Sequence, residues 1–511
     1  MADAKESSTG AEAHAVAPSH SDVAESTHHL VEPRPEGWMY RGFKIGKTEY
    51  WYASPKVQLL MVALVCFMCP GMYNALGGLG GGGQLDPTVQ DHASTALYSV
   101  FAVVAFFSGS VANKIGVKAT LTFGGLGYCL YAGSFLSFNH NHNYGFVIFA
   151  GAFLGLCAGL LWTAQGAIMM AYPPERSKGR YISWFWIIFN LGAVIGSLIP
   201  LGQNINNQGG TVTDGTYIGF IVLMLVGAIL AISLVDADKV IREDGSKVIL
   251  MKNPTWQSEF IGLWECIRLS PWVVALFPMF FASNIFYTYQ QNGLNGAHFN
   301  LRTRSLNNLL YWLAQIFGAI FVGYSMDIPS IRRSLRAKIS FCVLFALTFI
   351  IWGGGYAFQR KQVSREVSSQ ASYEALKMDW TDSGFVGPMF LYIFYGLYDS
   401  IWQTCIYWYI GALSNSGRKT ANIAGFYKAF QSAGAVVFWR LDGLHYEFNT
   451  LFAATWALCA ASLLVAAPII FLKIKDTTTL EEDLKFSDET VEDVVAPNAL
   501  PTVLGTGKVE A

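Results

Sequence analysis

The sequence predicts an all-α membrane protein, a bundle of 12 transmembrane helices in two six-helix halves. Composition is the first observation. Of 511 residues, 53% are hydrophobic and only 14% charged, against about a quarter charged in soluble domains. The second is the set of apolar runs of roughly 20 residues, the length that crosses ~30 Å of hydrocarbon. The third is an alternating bias of Lys and Arg between successive loops. Aromatic residues make 15% of the chain, enough to anchor two lipid–water interfaces. The net charge of −1 gives no footprint for nucleic acid.

Residues 1–54 are polar and read as a disordered cytosolic tail with no signal peptide. The N-terminal half covers 55–235, with spans near 57–79, 94–112, 119–138, 144–171, 181–202 and 216–235. A cytosolic linker, 236–271, follows. Within it Trp256, Phe260, Trp264 and Ile267 recur at helical spacing, predicting an amphipathic helix either on the inner leaflet or packed under the bundle. The C-terminal half covers 272–475, with spans near 272–291, 305–325, 337–358, 385–412, 419–438 and 450–472. The acidic end, 476–511, reads as a second disordered cytosolic tail. One set of alternate loops holds sixteen Lys and Arg and the opposite set seven, which puts both termini in the cytosol. Seven of the eight cysteines lie in apolar runs, and Cys66 and Cys69 read as small packing residues beside Pro70.

The halves echo each other. Gly109, Asn113, Lys114, Gly116 and Lys118 follow the second span, and Gly323, Asp327, Arg332 and Arg333 follow the eighth. Both runs resemble the loop motif of the major facilitator superfamily, Gly-x-x-x-Asp-Arg-x-Gly-Arg-Arg, in eroded form. The resemblance implies a cytosolic latch. Structurally, the glycine permits a close helix crossing and the acid or amide ends a helix. Leu161-Trp162-Thr163 pairs with Ile401-Trp402-Gln403, and the run from Phe189-Asn190 to Gly192 pairs with that from Phe430-Gln431 to Gly434.

Further runs narrow the resemblance. They are Pro70-Gly71-Met72-Tyr73-Asn74, the glycines to Gly83-Gln84, and Tyr172-Pro173-Pro174-Glu175-Arg176 with Gly179-Arg180. With Phe189-Asn190 and the Trp256/Trp264 helix they resemble the fungal Unc-ninety-three-like branch of that superfamily. The resemblance implies a major-facilitator-type bundle. It leaves two functions open. One is a secondary transporter of an unidentified small solute by alternating access. The other is a non-transporting regulator or trafficking partner of another membrane protein, as some animal relatives are.

Charges at mid-membrane are costly and mark function. Asp399 in the tenth span and Lys428 in the eleventh are two such charges. They lie ~20 Å and ~14 Å from the cytosolic end at 1.5 Å per residue, and are expected to form an ion pair whose making and breaking accompanies alternating access or proton coupling. The plain alternatives are a static pair or a lysine that snorkels to the surface. Asn74, Trp162, Thr163, Gln165, Asn190, Asn284, Trp402, Gln403, Thr404 and Gln431 are candidate cavity-lining residues, with interhelical hydrogen bonding as the equal alternative. As a set they suit a polar or amphipathic solute.

The glycine run 77–83 lacks the Gly-Lys-Ser/Thr ending of a phosphate loop and reads as a break or close-packing device at the outer end of the first span. His92, His140, His142, His298 and His445 fall in outer loops, where solvated histidines outweigh a metal site. No nucleophile–base arrangement, nucleotide motif or cofactor site is present, so the chain reads as no enzyme.

Overall fold

The computed structural model describes residues 35–46, 48–172, 178–206, 211–242, 256–326, 328–413 and 417–476. The far termini, Pro173–Arg176 of the second motif run, and Asp327 lie outside them.

Among the described residues, twelve long helical segments form the bundle. The first is α1 (Pro55–Met68) continued by α2 (Pro70–Gly77). Ser54 caps α1 by accepting from the Val57 N–H at 3.3 Å, and Pro55 opens it. Cys69 leaves helical geometry ahead of Pro70, so the two pieces meet at a break. Next come α3 (Thr88–Ile115), α4 (Val117–Asn141), α5 (Tyr144–Ala171), α6 (Lys178–Gln203) and α7 (Asp214–Ile232). Gly116 alone links α3 to α4, with φ +85°. A 14-residue helix, α8 (Trp256–Leu269), precedes the seventh span.

That span is irregular. A 3₁₀ stretch, Pro271–Leu276, leads into α9 (Phe277–Phe281), α10 (Phe286–Thr288) and a π-helical stretch, Tyr289–Gly296. The rest are α11 (Leu301–Met326), α12 (Arg333–Gln359), a short α13 (Arg365–Ser368), α14 (Val386–Leu413), α15 (Gly417–Gly443) and α16 (Phe448–Leu472). Among the described residues, eight segments are long and apolar enough to cross a bilayer unaided. α3, α4, α14 and α15 complete the bundle beside them.

The apolar core falls into two clusters. One is built mainly from Trp51 to Val240 and the other mainly from Cys266 to Ile474. They meet where α3 packs on α15 and α6 packs on α11. Those are spans two with eleven and five with eight, the exchange expected of two halves related by a two-fold axis. Gly192 shows the same relation. A Cβ there would strike the Phe67 carbonyl of the first span, and one at Gly434 the Phe281 carbonyl of the seventh. Each glycine lets two helices touch along their backbones.

Three expectations need correction. The N-terminal tail is shorter than 54 residues. A 3₁₀ turn (Trp38–Tyr40) and a hairpin of β1 (Phe43–Ile45) with β2 (Thr48–Tyr50) precede a buried Trp51. Tyr40 donates to the Lys239 carbonyl at 2.9 Å and Tyr52 to that of Ser233 at 2.5 Å, so two tyrosines dock this segment onto the chain leaving α7. Second, α8 both packs and protrudes. Cys266 is buried and Asn422 donates to the Gly262 carbonyl at 3.1 Å, while Trp264 is 67% exposed. Third, the histidines divide. His140, His142 and His445 are exposed and His92 half-buried, but His298 is buried.

Candidate functional site: a carboxylate centre at mid-bundle

α14 is continuous, so Asp399 sits about 20 Å from either end at 1.5 Å per residue. Its carboxylate is fully buried. Oδ1 accepts from Gln403 Nε2 at 2.7 Å, one turn along the same helix. Oδ2 accepts from Gln315 Nε2 at 2.5 Å, Tyr287 Oη at 2.7 Å and Tyr311 Oη at 3.1 Å. Tyr311 also lies 2.8 Å from Gln290 Oε1, so its one proton serves two acceptors. Donors from spans seven, eight and ten thus converge on one acid, which satisfies a polar group that low dielectric would otherwise make costly.

The cluster continues toward α15. Gln431 Nε2 donates to Asn284 Oδ1 at 3.0 Å and to Ser283 Oγ and Tyr427 Oη at 3.1 Å each. It also reaches Gln403 Oε1 at 3.4 Å. Lys428 Nζ donates to Gln431 Oε1 at 2.9 Å. The expected Asp399–Lys428 ion pair is not made. Two glutamine side chains separate the charges, joining Lys428 to Asp399 as an amide relay. The ammonium instead sits over the rings of Tyr427, Tyr407 and Trp162, at 5.1, 5.5 and 5.7 Å from their centroids. It does not snorkel to the surface.

Trp162 belongs to the first half, so Lys428 reaches across the divide. Trp162 packs on Trp186 and Phe189, and Trp186 on Tyr407 of the second half at 5.7 Å. Thr163, Gln403 and Thr404 are half-buried in the same layer of the bundle. Gln165 and Asn190 are more deeply buried, and Asn74 is half-buried on α2. Trp402 departs from expectation. It is fully buried against Tyr398 inside the second half's core, so the repeat does not make it the counterpart of the half-exposed Trp162. The residues missing from the expected site are Tyr287, Tyr311, Gln315, Tyr407 and Tyr427. The four-residue spacings Tyr311–Gln315 and Asp399–Gln403 were the available signal.

The latch loops behave unequally. Arg333 Nε donates to the Lys475 carbonyl at 2.7 Å, and Asp476 caps α12 through Ser334 N and Oγ at 2.9 and 2.7 Å. Lys114, Gly116 and Arg332 are exposed, and Gly109, Lys118 and Gly323 are half-exposed. A Cβ on Gly323 would meet open space, so it makes no close helix crossing.

The sequence profile of the Major Facilitator Superfamily matches residues 57–437. A UNC93-like protein of Schizosaccharomyces pombe is 50% identical over 457 residues, 89% of this chain and 90% of that one. The chain belongs to the UNC93-like branch of the major facilitator superfamily. UNC93-like protein 1 of Arabidopsis thaliana is 40% identical over 436 residues, covering 85% of this chain and 94% of the relative. In fold, this UNC93-like chain matches the xylose transporter XylE from E. coli in its inward open conformation. The TM-score is 0.58 at 11% identity, covering 84% of this chain and 98% of the other. In this UNC93-like bundle Asp399, Gln403 and Gln431 belong to the second half, and Lys428 reaches Trp162 of the first.

Proposed function

We propose that this protein is a secondary transporter that moves a small polar or amphipathic solute by alternating access, with both termini cytosolic. The observation that carries the reading is the centre on Asp399. Four donors hold one carboxylate in mid-membrane, and the cluster runs through amides to a lysine that touches the opposite half. A fold needing only rigidity would fill that place with apolar side chains at lower cost. Halves joined by rings and amides can exchange partners as they rock, and a solute can replace those partners with its own polar groups.

The test is untargeted measurement of solutes accumulated by vesicles holding the purified protein, followed by saturable uptake of whichever solute is enriched. Asp399→Asn presents an amide to donors arranged for a carboxylate and is expected to cut uptake at least tenfold at normal expression. Unchanged uptake removes the reading. A second reading is a non-transporting partner of another membrane protein, favoured by the eroded loop at Gly323. No flux, with a fixed membrane protein co-purifying, selects it.

A further inference from the structure

At the face opposite the Gly116 link, the two halves are closed by a second polar cluster, far from Asp399. Asp91 near the start of α3 is 1% exposed, Asp442 at the end of α15 is 0% exposed and Arg365 on α13 is 7% exposed. Asn292, in the π-helical stretch, knits them together. Its Nδ2 donates to Asp91 Oδ1 at 2.8 Å and to Asp442 Oδ2 at 2.9 Å, while its Oδ1 accepts from the Gly81 N–H at 2.8 Å. Arg365 pairs with Asp442 Oδ1 and donates to the Asp442 carbonyl at 2.8 Å and the Tyr446 carbonyl at 3.0 Å. Asp91 Oδ1 and Asp442 Oδ2 thus share one donor nitrogen, which holds the two carboxylates side by side. Asp91 Oδ2 is buried with no hydrogen-bond partner among the described residues.

Two buried carboxylates therefore face one guanidinium. With both ionised, the cluster holds a net negative charge in low dielectric, two carboxylates bridged by one amide and Asp91 Oδ2 facing no donor among the described residues. Like charges in such contact do not both ionise. The geometry points to a proton-binding site at this seam: a single proton shared between Asp91 and Asp442 that closes the two halves and leaves when they part. In the closed state Asp91 Oδ2–H donates to Asp442. On opening, α3 and α15 separate, each carboxylate takes water as its partner, and the proton passes to the solvent at that face. No covalent bond other than O–H breaks.

Other titratable groups surround the pair. Asp86 and His92 come from the α3 side, Arg440, His445 and Glu447 from the end of α15 and the chain after it, and Arg365 from α13. Asp86, Arg440, His445 and Glu447 are exposed and His92 is half-buried, so water screens them. The π-helical stretch contributes amides and Tyr289, with no charged side chain. The site stands on the closed seam alone and needs no particular solute.

Two measurements on the full chain in lipid nanodiscs test it. Infrared difference spectra of wild type minus Asp91→Asn, and of wild type minus Asp442→Asn, at neutral pH should each contain a protonated-carboxyl C=O band. Carboxylate bands alone would overturn the proposal. For the release step, spin labels at Tyr144→Cys and Leu444→Cys, in a Cys342→Ser background, report the distance across the seam by pulsed EPR. Raising pH should raise the open-to-closed ratio by up to about tenfold per pH unit, the limit for one linked proton. Asp91→Asn and Asp442→Asn each leave one acid for one arginine and should flatten the response to under twofold. The His92→Gln/His445→Gln variant should keep it. A distance distribution indifferent to pH in the wild type, a slope kept in both single-acid variants, or a slope lost with the histidines would each overturn it.

Discussion

Gly80→Ala gives a direct reading of the seam. Gly80 has φ +77°, and a Cβ there would stand 2.5 Å from the Gln291 carbonyl oxygen and 2.9 Å from the Gly296 Cα. Both atoms are backbone of the opposite half, so no rotamer change relieves them. The left-handed conformation costs an alanine about 1–2 kcal/mol in either state of the protein. Overlap with packed backbone costs a further ~1–3 kcal/mol, and only while the seam is shut. The open-to-closed ratio should therefore rise by about 5–150-fold. Gly82→Ala is the internal control. Its φ is +62°, and its Cβ would stand 2.5 Å from Phe135 in the same half, so it carries the strain without the preference. The assay is maleimide labelling of Ser94→Cys in a Cys342→Ser background. Ser94 is fully buried one turn along α3 from Asp91. Faster labelling in Gly80→Ala than in Gly82→Ala is expected. Equal rates in the two variants, with both proteins folded, would refute the reasoning.

Lys428→Gln should leave the Trp162, Tyr407 and Tyr427 rings in place, giving a stable protein whose solute uptake changes at least tenfold; unaltered uptake would make the lysine an idle charge. Asp379 lies in the chain before α14 and is expected to stabilise the far face by about 2 kcal/mol. Burial raises its pKa, but hydrogen bonds from Arg302, the Thr381 N–H and Asn300 outweigh that and hold it at about 2. This contribution is present above the ordinary value of 3.8 and fades as pH falls toward 2, so Asp379→Ala should lower the unfolding temperature at neutral pH and not at the acid limit. His298 is held down to about 4 from 6.5 by burial, with Lys377 adding to it. Its neutral form stabilises the fold above 6.5 and that contribution is lost as pH falls from 6.5 to 4, so His298→Phe should flatten the thermal stability profile across that window.

The bundle was legible because run length and Lys/Arg alternation report a solvent that repeats along the whole chain. The twelve expected spans fall on twelve long helical segments among the described residues. What escaped was local. The broken seventh span carries Asn292 and Asn295 in a π-helical stretch, whose wider turn hides from a 3.6-residue reading that both reach the first half. Asp442 and Arg365 lay just beyond expected span ends, where a charge reads as solvated loop, and only tertiary closure buries them. Asp399 and Lys428 stood out because charge in an apolar run is conspicuous. Their separation did not, since two intervening glutamines are invisible to helix-by-helix distance counting. The aromatic residues before Ser54 were masked by the polar composition of the segment that contains them.

At the far face the second half grips the first largely by its main chain. Asn308 Nδ2 reaches the Ala75 carbonyl at 2.6 Å, Asn295 Nδ2 the Gly78 carbonyl at 3.0 Å, and Asn292 Oδ1 takes the amide hydrogen of Gly81. Recognition of this kind reads a route through space and ignores what hangs from it. Systematic mutagenesis should then find a lopsided pattern: the asparagines irreplaceable by aspartate or leucine, and Ala75 open to small exchanges that keep its carbonyl in place. An insertion or deletion of one residue in the glycine run should disable the grip altogether, because it moves every handhold at once.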